Sequence, residues 1–272
     1  MVKVAYLGPR GTFTEQAALS YFNKNVELIS CRDLPEVFMT VSTGSSEFGV
    51  VPVENSIEGS VNIALDLLLE SDLKISGEVE LRIEHNLIAR APIDLSKIEA
   101  VASHPQALAQ CRNFLRQNLP KAELIEVGST AAAVKAIGEN NYIAAIGTEL
   151  ATKIYGMKVI ARNIEDNPNN FTRFLVLGHM DASPTGKDKT SIIFSVVHAP
   201  GSLYEALGVF ARRRINLTKI ESRPTRKKPW EYIFYCDFEG HRAERLIQEA
   251  LEELKEKTIL LKILGSYQRA RL

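Results

Sequence analysis

Before residue 150, five short apolar runs each end in a turn of small polar residues that opens a helical pattern. Val2–Leu7 stops at Gly8, and Thr12 starts a predicted helix through about Phe22, with Thr12 and Glu15 at capping-box spacing. Phe48–Val53 leads through Glu54-Asn55-Ser56-Ile57-Glu58-Gly59-Ser60 to a helix expected near Val61–Glu70. Ile98–Ala102 leads into Ser103-His104-Pro105, where Pro105 suits a first helical position. Leu124–Val127 runs into Gly128-Ser129-Thr130 and an alanine-rich helix, and Tyr142–Ile146 into Gly147-Thr148 and another. Such alternation predicts α/β layers with mainly parallel strands. In sheets of that kind ligands bind beyond the carboxyl ends of strands, where helix starts converge. Free N–H groups there favour an anion, by about 0.3–2 kcal/mol for each well-placed terminus. Capping alone explains one Ser or Thr at a helix start; five such turns point to a site for an anionic small molecule.

A further motif, Asn170-Phe171-Thr172-Arg173-Phe174, precedes the apolar run Leu175-Val176-Leu177-Gly178. It puts a hydroxyl and a cation where an apolar strand meets a polar loop. From His179 to Lys189, including Ala182-Ser183-Pro184-Thr185-Gly186-Lys187, the composition is that of a linker. After it the pattern changes. Strands are predicted at Thr190–Val197, Asn216–Glu221, Trp230–Phe238 and Thr258–Leu264, helices at Ser202–Arg214 and Arg242–Lys255, and a turn from Pro224 to Pro229. That order, βαββαβ, is the ferredoxin-like plan. The expected division is 1–178, a linker at 179–189, and a second domain at 190–267.

The chain has 272 residues, enough for more than one core, and equal numbers of acidic and basic residues, 33 each. Zero net charge argues against nucleic acid or an anionic membrane as partner. Residues 1–186 carry 16 Lys/Arg against 22 Asp/Glu, so any anion there must be held by local donors rather than by the overall field. The clusters Arg212-Arg213-Arg214 and Arg226-Lys227-Lys228 come with no recognition motif and read as solvated or subunit-facing. Cys31, Cys111 and Cys236 are odd in number and widely spaced, which suits a reducing compartment and neither a disulfide framework nor a metal site. No signal-peptide pattern and no membrane-length apolar run occurs, so a cytoplasmic protein is expected. No metal-ligand spacing, Walker lysine or dinucleotide fingerprint is present, so neither metal nor cofactor is expected.

The loops Gly8-Pro9-Arg10-Gly11-Thr12-Phe13-Thr14-Glu15, Pro52-Val53-Glu54-Asn55-Ser56, Ser103-His104-Pro105-Gln106-Ala107-Leu108 and Asn170-Phe171-Thr172-Arg173-Phe174 resemble those of prephenate dehydratases. The C-terminal part is similar to an ACT domain of the phenylalanine-sensing type, with Pro200-Gly201-Ser202-Leu203 and Glu221-Ser222-Arg223-Pro224. The resemblance covers nearly the whole chain, and its motifs fall in the family's order. It implies a bilobed catalytic domain similar to type II periplasmic binding proteins, a cleft between the lobes, and a regulatory domain. It further implies decarboxylative dehydration of prephenate to phenylpyruvate, with L-phenylalanine as effector and a homodimer or homotetramer. The chain starts at the first catalytic strand, so no chorismate mutase module is expected in front. Ser202 and Tyr204 depart from the commonest Gly-Ala-Leu-Val form of the effector loop, which leaves affinity and the sign of regulation open.

What the resemblance implies for single residues can be weighed against the chemistry. Prephenate carries a ring carboxylate, a pyruvyl carboxylate and a ring hydroxyl, and losing CO2 and water makes its ring aromatic. A cation on the ring carboxylate would stabilise the ground state, because that charge disperses as CO2 leaves. Arg173 is therefore expected at the pyruvyl carboxylate, with a structural ion pair as its alternative. Thr172 is expected to bond the departing hydroxyl, orienting and stabilising it rather than acting as a formal acid. Thr12, Asn55, Ser56, Ser103, His104, Gln106, Ser129, Thr130 and Phe174 are the expected substrate-binding residues; for Asn55 and the serines and threonines, capping is the alternative. His104 is a candidate acid or simply a cap, and Glu54 is expected to orient a neighbour. Gly201, Ser202, Leu203, Glu221, Ser222, Arg223 and Pro224 are the expected effector contacts. An arogenate dehydratase, or a non-catalytic amino-acid sensor, would share most of these features.

Overall fold

The computed structural model describes residues 1–23, 26–138, 140–225 and 231–270. In chain order it begins β1 (Val2–Leu7), α1 (Phe13–Tyr21), β2 (Val26–Cys31), α2 (Leu34–Ser42), β3 (Phe48–Asn55), β4 (Gly59–Ser60) and α3 (Asn62–Glu70). It continues β5 (Lys74–Arg82), β6 (Asn86–Ala89), β7 (Ala100–Ser103), α4 (Pro105–Gln110), α5 (Arg112–Asn118) and β8 (Glu123–Glu126). Then come α6 (Thr130–Ala136), β9 (Ile143–Gly147), α7 (Glu149–Tyr155), β10 (Lys158–Ala161) and β11 (Phe171–Gly178). The last part is β12 (Asp188–Ser195), α8 (Ser202–Arg212), β13 (Leu217–Pro224), β14 (Tyr232–Glu239), α9 (Arg245–Glu256) and β15 (Leu260–Gln268).

Three sheets result, ordered β2-β1-β3-β11-β5 with β4 on β3, β10-β6-β9-β7-β8, and β13-β14-β12-β15. The expected parallel pairing holds for β1 with β2 and for β7 with β8 and β9, while β6 runs antiparallel to β9 and β10. The described residues form two compact units: Met1–Val37, Val50–Val61 and Glu80–Phe174 make the first, and Phe38–Gly49, Asn62–Val79 and Leu175–Leu272 the second.

In the first unit, the sheet holding β7 and β9 buries both faces. Leu87, Val101, Ala144 and Ile146 meet Leu108 and Leu115 of α4 and α5 on one side. Their chain neighbours Ile88, Ala102 and Ala145 meet Ala133 and Val134 of α6 and Ala151 of α7 on the other. Period-two alternation with apolar residues in both phases is what two-sided burial requires. Each fully buried aliphatic side chain contributes about 1.5–3 kcal/mol. The alanines let α6 approach so closely that a Cβ on Gly147 would lie 2.6 Å from Val134 Cγ2.

One expected strand-to-helix turn is different. Glu54–Ser60 forms a tight hairpin from β3 into β4, with Glu54 opposite Ser60 and Asn55 opposite Gly59. Gly59 has φ +83°, a conformation that disfavours a side chain and closes the turn.

The second unit holds the antiparallel sheet with α8 and α9, in the expected βαββαβ order. Ile192, Phe194, Cys236 and Phe238 pack against Val209 and Phe210 of α8 and Ile247, Leu251 and Leu254 of α9. Arg212 and Arg213 both reach Glu253, so two cations of the basic cluster tie α8 to α9. The Arg226-Lys227-Lys228 cluster, most of the predicted Pro224–Pro229 turn and Trp230 lie outside the described residues.

Helix α3 also belongs to this unit. Arg223 Nε and Nη2 donate to Asp66 Oδ1 and Oδ2 at 2.9 and 3.0 Å, and Nη1 donates to Asn62 Oδ1. Tyr235 bonds the Leu65 carbonyl, and Lys262 Nζ the carbonyls of Leu68, Leu69 and Ser71 at the helix end. An ammonium there satisfies carbonyls that have no partner within the helix.

No sequence pattern predicts an element in 23–47 or 71–97, yet β2, α2, β5 and β6 lie there. For β5 the reason is visible: Lys74, Ser76 and Glu78 put polar groups on one face, and each finds a partner in the second unit. Lys74 bonds the Ile263 carbonyl, Ser76 the Met180 carbonyl, and Glu78 pairs with buried Lys189 at 2.9 Å.

Candidate functional site

A cavity of about 570 Å³ opens within the first unit, a size that suits a small-molecule ligand. Thr12, Asn55, His104, Gln106, Ser129, Thr130, Thr172 and Phe174 line it, together with Arg32, His85 and Gln110. The first eight come from separate sequence motifs that the fold brings together. Arg32, His85 and Gln110 carry no motif signal. Arg32 is the only lysine or arginine among the described residues lining the cavity, and its side chain is 81% exposed beside Asp33 and Glu36.

Several lining residues also cap helices. Thr12 Oγ1 accepts from Glu15 N–H and donates to the Leu7 carbonyl, which fixes the β1–α1 turn. The Glu15 carboxylate takes the N–H of Gly11 rather than of Thr12, one residue off the expected capping box. His104 Nδ1 accepts from Gln106 N–H at 3.2 Å, and Ser129 Oγ from Ala132 N–H at 3.0 Å. Capping and a place on the cavity wall thus coincide, because the same turns make both.

Asn55 ties the hairpin to β11. Its Oδ1 accepts from the N–H groups of Ile57 and Glu58, both at 3.0 Å. Its Nδ2 donates to Asn170 Oδ1 at 2.8 Å and to Thr172 Oγ1 at 2.9 Å. Asn170, 1% exposed, donates through Nδ2 to Gln110 Oε1 at 2.9 Å, and Gln110 Oε1 also faces His85 Nε2 at 3.0 Å. Backbone N–H groups only donate, so the amide orientation of Asn55 is decided. Thr172 Oγ1 accepts from it, and the threonine's own proton remains for a partner in the cavity.

Three expected site residues lie elsewhere. Arg173 follows Thr172 on a strand and so points to the opposite face, where its guanidinium sits 3.6 Å from Glu54 rather than on the cavity wall. Glu54 thus neighbours the motif, as expected of a carboxylate that orients something else. Ser56 Oγ is held between Phe171 N–H at 2.9 Å and the Asn169 carbonyl at 3.0 Å, which zips the hairpin to β11. Ser103, fully buried, donates to the Ile146 carbonyl at 2.8 Å, a bond between neighbouring strands.

Of the expected effector residues, Gly201 starts α8 at φ +86°, and Leu203 packs on the α8–α9 core. Glu221, Ser222 and Pro224 lie on β13, with Glu221 3.2 Å from Lys219. Arg223, 8% exposed, commits its donors to Asp66 and Asn62 of α3 instead of an open effector site. Among the described residues no group of His, Cys, Asp or Glu could hold a metal ion. No helix among them is long and apolar enough to cross a membrane. Burial pushes the pKa of His85 down, with Gln110 and Glu165 opposing more weakly, and raises the Cys111 thiol.

A family model described as prephenate dehydratase matches residues 4–182, and an ACT domain model matches residues 190–256. The chain belongs to the prephenate dehydratase family. A bifunctional chorismate mutase/prephenate dehydratase of Aquifex aeolicus is 51% identical over 100% of this chain and 75% of its own length. The prephenate dehydratase of Methanocaldococcus jannaschii is 42% identical over 97% of each chain. Among solved structures, prephenate dehydratase from Arthrobacter aurescens in complex with L-Phe superposes with TM-score 0.91. It is 35% identical and covers 98% of this chain and 90% of that one. Family membership and the α/β plus ACT architecture therefore agree with the motif reading, whereas positions such as Arg173 are decided by geometry.

Proposed function

We infer that this chain converts prephenate to phenylpyruvate, CO2 and water, a hydro-lyase reaction on the way to phenylalanine, and that L-phenylalanine regulates it. The observation that carries the chemical reading is the Asn55–Thr172 bond, which leaves the Thr172 hydroxyl proton for the substrate. In the reaction the bond between the ring and its carboxylate breaks, and its electron pair enters the ring. The C–O bond breaks at the opposite carbon, and the hydroxyl leaves with negative charge developing on oxygen, taking a proton from solvent to become water. A hydrogen bond from Thr172 to that oxygen strengthens as the charge develops, which lowers the barrier rather than merely tightening binding.

Arg32 takes the place expected of Arg173, as the cation for the pyruvyl carboxylate, which persists from substrate to product. Ser129, Thr130, Gln106 and Thr12 supply neutral donors, and Phe174 an apolar wall for the forming aromatic ring. The ring carboxylate is best left without a cation, and no second lysine or arginine among the described residues lines the cavity.

We assign catalysis to residues 1–178, a linker to 179–189 and the regulatory ACT domain to 190–267. The ACT match and the solved relative in complex with L-Phe support an effector site at Gly201, Ser202, Leu203, Glu221, Ser222 and Pro224. A cytoplasmic homodimer or homotetramer completes the reading.

The test is phenylpyruvate formation by purified protein from prephenate, with arogenate in parallel and L-phenylalanine added to each. Prephenate turnover that responds to L-phenylalanine is the expected result. Preference for arogenate would keep the chemistry and change the substrate. Turnover of neither would overturn the enzymatic reading in favour of an amino-acid sensor.

A further inference from the structure

We infer that His85 is a positioning residue that holds the neutral Nε2–H tautomer and anchors the amide chain that aims the Thr172 proton into the cavity. The inference rests on the reading of Thr172 as hydrogen-bond donor to the substrate. Hydrogen-bond polarity carries the argument. The N–H groups of Ile57 and Glu58 fix Oδ1 of Asn55 as acceptor, so its Nδ2 donates to Asn170 Oδ1. Asn170 must then turn Nδ2 outward, and that nitrogen donates to Gln110 Oε1. With Oε1 facing Asn170, the Gln110 amide points Nε2 at the Glu58 carboxylate, 3.3 Å away, where only a donor belongs. Gln110 Oε1 therefore accepts from His85, and the proton of that ring sits on Nε2.

Nδ1 is then the bare nitrogen. It is buried and has no hydrogen-bond partner among the described residues. A second ring proton would thus be buried without an acceptor, an arrangement that desolvation disfavours. Two further contacts hold the residue in place. Its N–H donates to Glu165 Oε2 at 3.0 Å, and Phe13 meets the ring edge-on at 5.6 Å. His85 is 3% exposed, so this end of the run of amides is packed away from solvent. Without it, Gln110 would keep only Asn170 and a long bond to Glu58, and would be less firmly placed. A looser Gln110 leaves Asn170, and through it the Asn55 donor on Thr172, less firmly placed as well.

Two measurements test this. Nitrogen-15 NMR of histidine-labelled full-length protein at neutral pH, with His85 assigned from its missing signal in His85→Gln, reads the tautomer directly. Protonated Nε2 with bare Nδ1 is expected; a protonated Nδ1 overturns the inference. In steady-state kinetics, His85→Gln keeps a donor near Gln110 and should retain kcat within about threefold. His85→Leu, which keeps the bulk and loses the donor, should lower kcat by about 10–100-fold with KM changed less than about threefold. Normal kcat in His85→Leu overturns the positioning role, and the wild-type spectrum decides the tautomer even where that variant fails to fold. Normal turnover by Thr172→Val would instead overturn the reading of Thr172 and leave the tautomer of His85 standing.

Discussion

The cavity of the first unit and the clamp on α3 in the second solve different problems with different chemistry. Around Thr172 the bonds run through amides: Asn55, Asn170 and Gln110 each pass on a direction, and the run ends at His85. Around α3 they are charged: Arg223 on Asp66 and Lys262 on three carbonyls, while Glu78 of β5 pairs with Lys189 of β12. A charged bond is stronger, but a guanidinium or ammonium donates with every proton and accepts with none. Neutral amides have two distinct ends, so a chain of them can specify that Thr172 Oγ1 accepts from Asn55. Charge holds a helix in place here; amide polarity sets the direction of a bond.

The comparison breaks most sharply at Thr172. Thr172→Val should lower kcat by about 10²–10⁴ while KM moves less than about threefold, measured by phenylpyruvate formation. Near-normal kcat would remove the hydroxyl from the chemistry. Asn55→Asp is a subtler break, because it keeps shape and both backbone acceptor bonds but cannot donate to Thr172. We expect kcat to fall by about 10–100-fold, and an unchanged kcat would show that the direction of that bond does not matter. Arg32→Gln should raise KM about tenfold or more with kcat little altered, since the pyruvyl carboxylate is held alike in ground and transition states. An equal loss in kcat would place Arg32 in the transition state instead.

The clamp should respond in stability rather than rate. Arg223→Met removes a bidentate contact to a partly exposed Asp66, so we expect a loss of about 1–2 kcal/mol in denaturant unfolding with basal kcat unchanged. A large kcat effect would mean that the two regions are not separate in function. The smallest effect is a pH dependence that differs between the regions. His85, with its pKa lowered by burial, contributes stability that is full above the ordinary value of 6.5 and is lost as pH falls below it. Asp188 in the second unit behaves likewise but lower down. Burial raises its pKa, and bonds from the Thr185 hydroxyl and the N–H groups of Thr185 and Gly186 outweigh that and depress it below 3.8. Its contribution is present above 3.8 and lost only below. Hydrogen exchange as pH is lowered from 7.5 to 5.5 should therefore weaken protection around β6 and β11 before β12, and His85→Gln should flatten that response. Equal loss in both units would contradict it.

Much of the candidate site was legible because its signals are local. Thr12, His104 and Ser129 announce themselves as caps by their position before a helical pattern, and the caps line the cavity. The order βαββαβ follows from strand and helix periods, with ends displaced by a few residues. Asn55 was legible as a polar residue at a strand end, though its turn proved a hairpin; nothing local marks a helix cap as distinct from a turn closed by Gly59. Residues 23–47 and 71–97 were silent, since strands such as β5 carry polar groups whose partners lie far along the chain.

By itself, then, the sequence determined the α/β and ferredoxin-like parts and the family, and it singled out Thr172 as a candidate, because periodicity, capping and motif order are properties of neighbouring residues. Only the tertiary structure decided which cation faces the cavity, since strand alternation turns Arg173 toward Glu54 and leaves Arg32 on the wall. It alone committed Arg223 to α3 and brought His85 and Gln110 to the site. It also paired Asn55 with Thr172 across 117 positions. Contacts between residues so far apart depend on how sheets and helices stack, and no local pattern records that.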